Sequence, residues 1–392
     1  MRSSNRPYMA SVDQLRAYAV LLVIFFHGTQ IFGTWIAHDR PFQFGEDWLY
    51  STNPAATVIF EGHTGVTLFM VLSGFIFAVG TIGKDVSYPR FMANRLLRIY
   101  PLFMVIVLIA LAANPGAFGF LPFLQTVLGL GNLPGALVLG DISSGALWAV
   151  AVEMQFYLLF PLLNKLLTRF GLPTFLRLFA AIAVIRALVW FVTTVPNPDS
   201  ILYYNLVGRI DQFLIGMIAA WLYLRYADHF RGWWKIGASA GIVVAALWAF
   251  NQVHGFFNHG WWRLVWVDVE GGMWALVVLT YVATVRATNV VARTVTKIGE
   301  LSFSLYLLHL VIAGVLVNNR WWIEIPGIGA MASALVTVAA LFLPVSIAVA
   351  MVTYHGIESP FLRLRVKYLI EPKVPIELQQ LDRDLERATR SS

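Results

Sequence analysis

Within the apolar stretch Leu15–Ile36, two side chains have chemistry to offer: Arg16 at one end and His27 inside. On a helix they stand about three turns, or roughly 16 Å, apart and on nearly the same face. A fixed cation suits an anionic ligand, and an imidazole suits proton transfer near neutral pH. An ionisable group inside an apolar run is costly and is read first as functional. Further polar residues interrupt apolar stretches later in the chain: His63, Glu153, Arg186, Arg209 with Asp211, Asp268 with Glu270, and His309. If successive stretches cross a bilayer in alternating directions, His27, Glu153, Arg209, Asp211, Asp268 and Glu270 fall at similar depth nearer the outer face. His309 then lies mid-depth and His63 at the outer mouth. Polar groups at one depth in a bundle usually face each other across a cavity. Arg209 and Asp211 fit mutual neutralisation equally well, Asp268 and Glu270 an outer vestibule, and His309 a hydrogen-bonded packing role. Arg186 has no evident partner.

The elements that position these residues follow from composition. Hydrophobic residues make up 58% of the 392-residue chain and charged residues 12%, where a soluble domain is roughly half apolar and a quarter charged. The expected fold class is all-α: a polytopic integral membrane protein of about ten transmembrane helices with both termini cytoplasmic. The expected spans are 15–36, 62–82, 97–113, 146–165, 176–194, 202–224, 236–252, 262–285, 299–317 and 330–355. The run 117–139 is also apolar, but Pro122, Pro134 and several glycines interrupt it. It is expected to be an extracytoplasmic or re-entrant segment whose backbone protein or water must cover.

Orientation follows from the basic residues. Arg2, Arg6 and Arg16 would lie inside, with Lys84, Arg90, Arg95 and Arg98, then Lys165, Arg169 and Arg177. Arg225, Arg231 and Lys235, then Arg286, Arg293 and Lys297, and the tail from Arg363 join them, leaving Arg40, Arg263 and Arg320 outside. Such a bias is the positive-inside pattern. The basic start and first apolar run resemble a signal peptide, but without a small-residue cleavage site they read as an uncleaved first helix. Residues 1–365 are expected to form one membrane domain. Residues 366–392 are expected to be a polar cytoplasmic tail, with Ile376, Leu378, Leu381 and Leu385 loosely spaced as an amphipathic helix.

The chain has no cysteine, which excludes disulfides, thiolate nucleophiles and acyl-cysteine intermediates. The net charge of +7 is spread over short loops, so nucleic acid is not an expected partner. There is no G-x-S-x-G elbow, P-loop or H-E-x-x-H helix. His254 and His259 lack a third ligand nearby, so no metal is expected. Trp35, Trp233, Trp234, Trp261, Trp262, Trp321 and Trp322 read as interfacial anchors.

Motifs through the whole chain resemble the membrane-bound acyltransferase-3 family. Arg16 followed by His27 is similar to its opening Arg-to-His motif, and Gly65–Phe75, with Leu72-Ser73-Gly74-Phe75, to its second-helix signature. Arg95-Leu96-Leu97-Arg98 resembles its Arg-x-x-Arg segment, and Leu147–Tyr157, carrying Glu153, its Trp-to-Glu motif. Gly299–His309 and Ile357-Glu358-Ser359-Pro360 resemble its closing motifs. Ala149 stands where a Ser is common and Met154 where a second Glu is frequent, which puts the weight on Glu153.

The resemblance implies an enzyme of the inner, cytoplasmic membrane, with no bound cofactor. It would transfer an acyl group, commonly acetyl, from a cytoplasmic coenzyme A thioester to a hydroxyl of a glycan or other envelope acceptor. On that reading His27 and Glu153 are catalytic, with Glu153 orienting the imidazole. Arg16, Arg95, Arg98, Tyr157, Arg209 and His309 bind donor or acceptor, the arginines being suited to phosphate. Whether His27 is a base or an acyl carrier is open, as are the acceptor and the oligomeric state. The alternatives are a transporter or flippase of an envelope precursor, whose intramembrane charges would form a relay, and an inactive scaffold.

Overall fold

The computed structural model describes residues 8–370, apart from 114, 134–135, 137–139, 193–201, 259 and 287–288. Arg2, Arg6, Pro134, His259 and the expected tail helix beyond Ile370 lie outside the described residues.

The described chain is almost wholly helical. In order come α1 (Ala10–His38), α2 (Pro54–Phe60), α3 (Gly65–Thr81), α4 (Tyr88–Ala113), α5 (Phe120–Gln125) and α6 (Gly140–Val192). There follow α7 (Ile210–Phe230), α8 (Trp233–Gln252), α9 (Arg263–Thr284), α10 (Val290–Glu300), α11 (Ser302–Asn318) and the long run α12 (Ala330–Leu362). Two short strands, β1 (Asp85–Val86) and β2 (Leu369–Ile370), pair antiparallel.

Among the described residues seven helices are long and apolar enough to cross a membrane, or eight if α10 and α11, bent by 69°, make one span. The multi-pass class is therefore plain, while the elements divide differently from the sequence expectation. The expected spans 146–165 and 176–194 fall on α6 as one run, broken at Gly171, whose φ of 70° no side-chain-bearing residue adopts easily. The expected span 202–224 is α7, which is not among the seven because Asp211, Gln212 and Arg225 dilute its apolar content.

Helix α1 is the hub. It packs against α3, α10, α11 and α12, and Leu15, Val20, Val23 and Ile24 are buried among them. With no hydrophobic drive between helices in lipid, small residues decide how closely they approach. Gly74 of α3 and Gly216 of α7 show this reciprocally. A Cβ on Gly74 would run into the Phe213 carbonyl, and one on Gly216 into the Val71 carbonyl. Backbone thus meets backbone, and α3 and α7 form one tight pair.

The apolar run after α4 is irregular, as its prolines and glycines require: α5 passes into a π-turn at Thr126–Leu130, with Gly129 at φ 79°. Protein side chains cover its backbone. The Tyr100 hydroxyl donates to the Val127 carbonyl at 2.5 Å, and the Gln155 amide to the Gly129 carbonyl at 3.0 Å.

The expected domain boundary at 365 falls inside a segment that packs onto the helices. Asn94 of α4 donates to the Val366 carbonyl at 2.7 Å and accepts from its N–H at 2.9 Å. The Tyr368 carbonyl accepts from the Ser87 N–H at 2.8 Å, and Tyr368 is only 2% exposed. The segment has no helix to satisfy its backbone, so it borrows partners from α4 and the turn before it.

Candidate active site

A cavity of about 160 Å³ opens between α1, α3, α4, α6, α11 and the end of α12. It gathers Arg16, Arg95, Arg98, Glu153 and Tyr157, and adds Ser73, Tyr306 and Arg365. Arg16 is 3.6 Å from Asp13, one turn away on α1. The Arg95 guanidinium lies over the Phe77, Phe91 and Tyr157 rings, at 4.7, 5.4 and 5.7 Å from their centroids. Aromatic faces hold the cation in place without consuming its hydrogen-bond donors. Arg98 pairs with Glu358 at 2.9 Å, and Ser304 donates to the other oxygen of that carboxylate. Glu358 thereby ties α4, α11 and α12 together at the arginine end of the cavity.

Glu153 faces the same cavity. One of its oxygens accepts from the Ser73 hydroxyl at 2.9 Å and from the Tyr157 hydroxyl at 2.5 Å. Ser73 sits on α3 beside the tight Gly74 contact, and Tyr157 one turn along α6 from Glu153, so α3 and α6 together fix this carboxylate. Among the described residues no hydrogen bond joins Glu153 to His27.

His27 is paired with His309 instead. His27 Nδ1 and His309 Nε2 are 3.0 Å apart, and His309 Nδ1 lies 2.6 Å from the Tyr306 carbonyl oxygen. A carbonyl only accepts, so His309 Nδ1 carries a proton. In the neutral pair His309 Nε2 then accepts, His27 donates from Nδ1, and His27 Nε2 keeps its lone pair. The arrangement sets the tautomer a general base needs. Both imidazoles are the predicted residues; their partnership is what sequence depth alone missed.

Neighbouring rings lead from the cavity to a second one. Tyr306, on the cavity wall, is 5.8 Å from His309 between ring centroids, and His309 is 5.1 Å from His27. His27 is 4.9 Å from Phe26, and Phe26 is 5.4 Å from His63. His63 lines a smaller cavity of about 30 Å³, room for about one water molecule. The His63 Nε2–H donates to Glu61 at 3.0 Å, and its Nδ1 accepts from the Tyr203 hydroxyl at 3.2 Å.

The single polar layer expected from sequence is divided. Arg209 is 2% exposed and lines the second cavity, not the first. It donates to the Tyr203 carbonyl at 2.9 Å, lies over the Tyr203 ring at 3.9 Å and sits 3.6 Å from Glu270. Arg186, without an evident partner in the sequence, is ion-paired with Asp211 and, at 2.5 Å, with Asp268. These acids come from α7 and α9, so no local spacing could reveal them.

Ser73 and Glu358 stand inside the motifs quoted above and were legible there. Tyr306 stands inside the quoted Gly299–His309 motif as well, while Arg365 had no signal beyond a basic residue after the last span.

The acyltransferase domain of the acyltransferase-3 family matches residues 9–355. Acyltransferase MdmB of Streptomyces mycarofaciens is 28% identical over 316 residues, covering 71% of this chain and 77% of that one. BcsY of Komagataeibacter xylinus, whose name describes a membrane-bound transacylase, is 25% identical over 79% of this chain and 73% of its own. The O-acetyltransferase OatA of Staphylococcus aureus is 22% identical over 80% of this chain and 52% of its own length, so this chain spans about half of OatA. No solved structure matches. With the family match running from the start of α1 to the last turns of α12, this chain belongs to the acyltransferase-3 family and is a membrane-bound O-acyltransferase.

Proposed function

We propose that the enzyme moves an acetyl group from cytoplasmic coenzyme A thioester to a hydroxyl of a glycan or related envelope acceptor, at the inner membrane. One observation carries this: an arginine-rimmed cavity whose wall residue Tyr306 hands its carbonyl to His309, which in turn sets the tautomer of His27. The topology that goes with it is ten spans with both termini cytoplasmic, which puts Arg95 and Arg98 on the donor's side.

A cavity of about 160 Å³ is of the size that holds a single benzene in an engineered core. It takes the thioester end of the donor and leaves the rest of the arm and the nucleotide phosphates towards the mouth, where guanidinium forks match the phosphates. The acceptor approaches from the side of the second cavity. His27 Nε2 takes the hydroxyl proton as oxygen attacks the thioester carbonyl. The tetrahedral intermediate expels the thiolate, and the proton passes from His27 to the sulfur. Arg209 holds the Tyr203 wall of the acceptor side. Glu153, with Tyr157 and Ser73, shapes the donor channel rather than steering His27.

The test is the purified enzyme in proteoliposomes with acetyl-coenzyme A, followed by thiol release and acceptor mass. Cell-envelope glycans from cells with and without the gene should differ by an acetyl mass. Intact thioester after incubation with an envelope extract, by a folded preparation, refutes the proposal.

A further inference from the structure

The donor's phosphates need partners at the cavity mouth, and one candidate arrives from outside the helices. Arg365 lines the cavity with Arg95 and Arg98, yet it belongs to the extended segment after α12. Three independent ties hold that segment in place. Asn94 grips both backbone groups of Val366, at 2.7 and 2.9 Å. Strand β2 pairs with β1. The buried Tyr368 meets Phe91 edge-on with ring centroids 5.3 Å apart.

Two of the ties land beside Arg95. Asn94 precedes it in the chain, and Phe91 carries its guanidinium at 5.4 Å. The residue gripped by Asn94 is adjacent to Arg365. The Asn94 amide and the Phe91–Tyr368 contact therefore fix the positions of Arg95 and Arg365 relative to each other. An extended segment with no hydrogen bonds of its own would otherwise wander. Two guanidiniums held in one mouth make a site for a phosphate anion.

We propose that Arg365 completes the donor-phosphate site and that Asn94 is the positioning residue that holds it there. The inference rests on the coenzyme reading above and adds the segment 362–370 to the donor site. The ligand chemistry is a phosphate, whose sources are the nucleotide thioester or an anionic lipid headgroup; the geometry beside the cavity favours the nucleotide.

The experiment uses the full chain in nanodiscs of neutral lipid. Coenzyme A binding is measured by calorimetry, and turnover is measured with acetyl-coenzyme A and with S-acetylpantetheine, which lacks the nucleotide phosphates. Arg365→Gln should weaken coenzyme A binding by about ten- to hundredfold, the worth of a charged hydrogen bond. It should raise KM for acetyl-coenzyme A and leave kcat and the S-acetylpantetheine reaction unchanged. Arg365→Lys should recover part of the affinity. Asn94→Ala should reproduce the KM effect, and adding it to Arg365→Gln should bring little further loss. Equal losses with both thioesters would show a structural role and overturn the proposal, as would wild-type affinity in Arg365→Gln. Loss of activity in that variant only when phosphatidylglycerol is present, with coenzyme affinity intact, would assign Arg365 to lipid and overturn it too. Failure of the wild-type protein to bind coenzyme A would instead sink the coenzyme reading itself.

Discussion

The imidazole pair offers the sharpest test of how this enzyme works. His309 Nε2 accepts from His27 at 3.0 Å, and its own Nδ1 is fixed by the Tyr306 carbonyl at 2.6 Å. His309→Ala removes the side-chain acceptor that selects the His27 tautomer and leaves the Val23 backbone as the remaining partner of that ring. A net hydrogen bond of roughly 1–1.5 kcal/mol holds that selection, so losing it lets the wrong tautomer compete by about a factor of ten. Misorientation of the freed ring adds to this, and kcat should fall about ten- to a hundredfold. His27→Ala removes the base itself and should lower kcat by about 10²–10⁴-fold. His309→Gln keeps an acceptor oxygen near the ring and should fall between wild type and His309→Ala. Since the pair acts as a unit, His27→Ala with His309→Ala should be little worse than His27→Ala alone. The assay is acetyl transfer in proteoliposomes with coenzyme affinity measured on the same samples, which should not change. Wild-type kcat in a folded His309→Ala enzyme, or losses that multiply in the double variant, would refute the tautomer argument.

Other consequences are simpler to measure. Arg95→Gln or Arg98→Gln should weaken coenzyme A by about 1–3 kcal/mol, read by calorimetry; unchanged affinity in the double variant removes both from the donor site. Arg186→Met leaves Asp211 and Asp268 buried without their cation and should destabilise the folded protein by about 3–5 kcal/mol while sparing coenzyme binding, checked by thermal unfolding in detergent. Reporter fusions after Gly116 and Asn258 should read extracytoplasmic and those after Lys84 and Arg231 cytoplasmic; one reversed pair breaks the ten-span topology.

Sequence carried the helical class, the multi-pass character and five polar residues of the cavity wall (Arg16, Arg95, Arg98, Glu153 and Tyr157), because each rests on local chemistry. Arg16 and His27 share one helix, and Arg95 and Arg98 one helical turn, so spacing alone relates them. The partners were harder. Depth in a membrane is one coordinate, and it placed Glu153 level with His27 without saying which way either side chain turns. The azimuth is set by packing, here by the Gly74–Gly216 contact beside Ser73 and by α11 bringing His309 against α1. Arg186 shows the same limit, since both of its acids come from other helices. The segment carrying Arg365 and Tyr368 was invisible for another reason. A two-residue strand has no periodicity, and its pairing partner, Asp85–Val86, lies far back in the sequence, in the first quarter of the chain.

The file of rings from Tyr306 through His309, His27 and Phe26 to His63 has an electrical consequence. An enzyme that accepts one substrate from each side of an energised membrane risks opening a wet path for ions between them. Each elementary charge slipping through dissipates about 2.3 kcal/mol per 100 mV. Phe26 is 4% exposed and stands between the paired imidazoles and His63. On the proposed two-sided reaction, that apolar ring would break the line of proton carriers between the imidazole pair and His63.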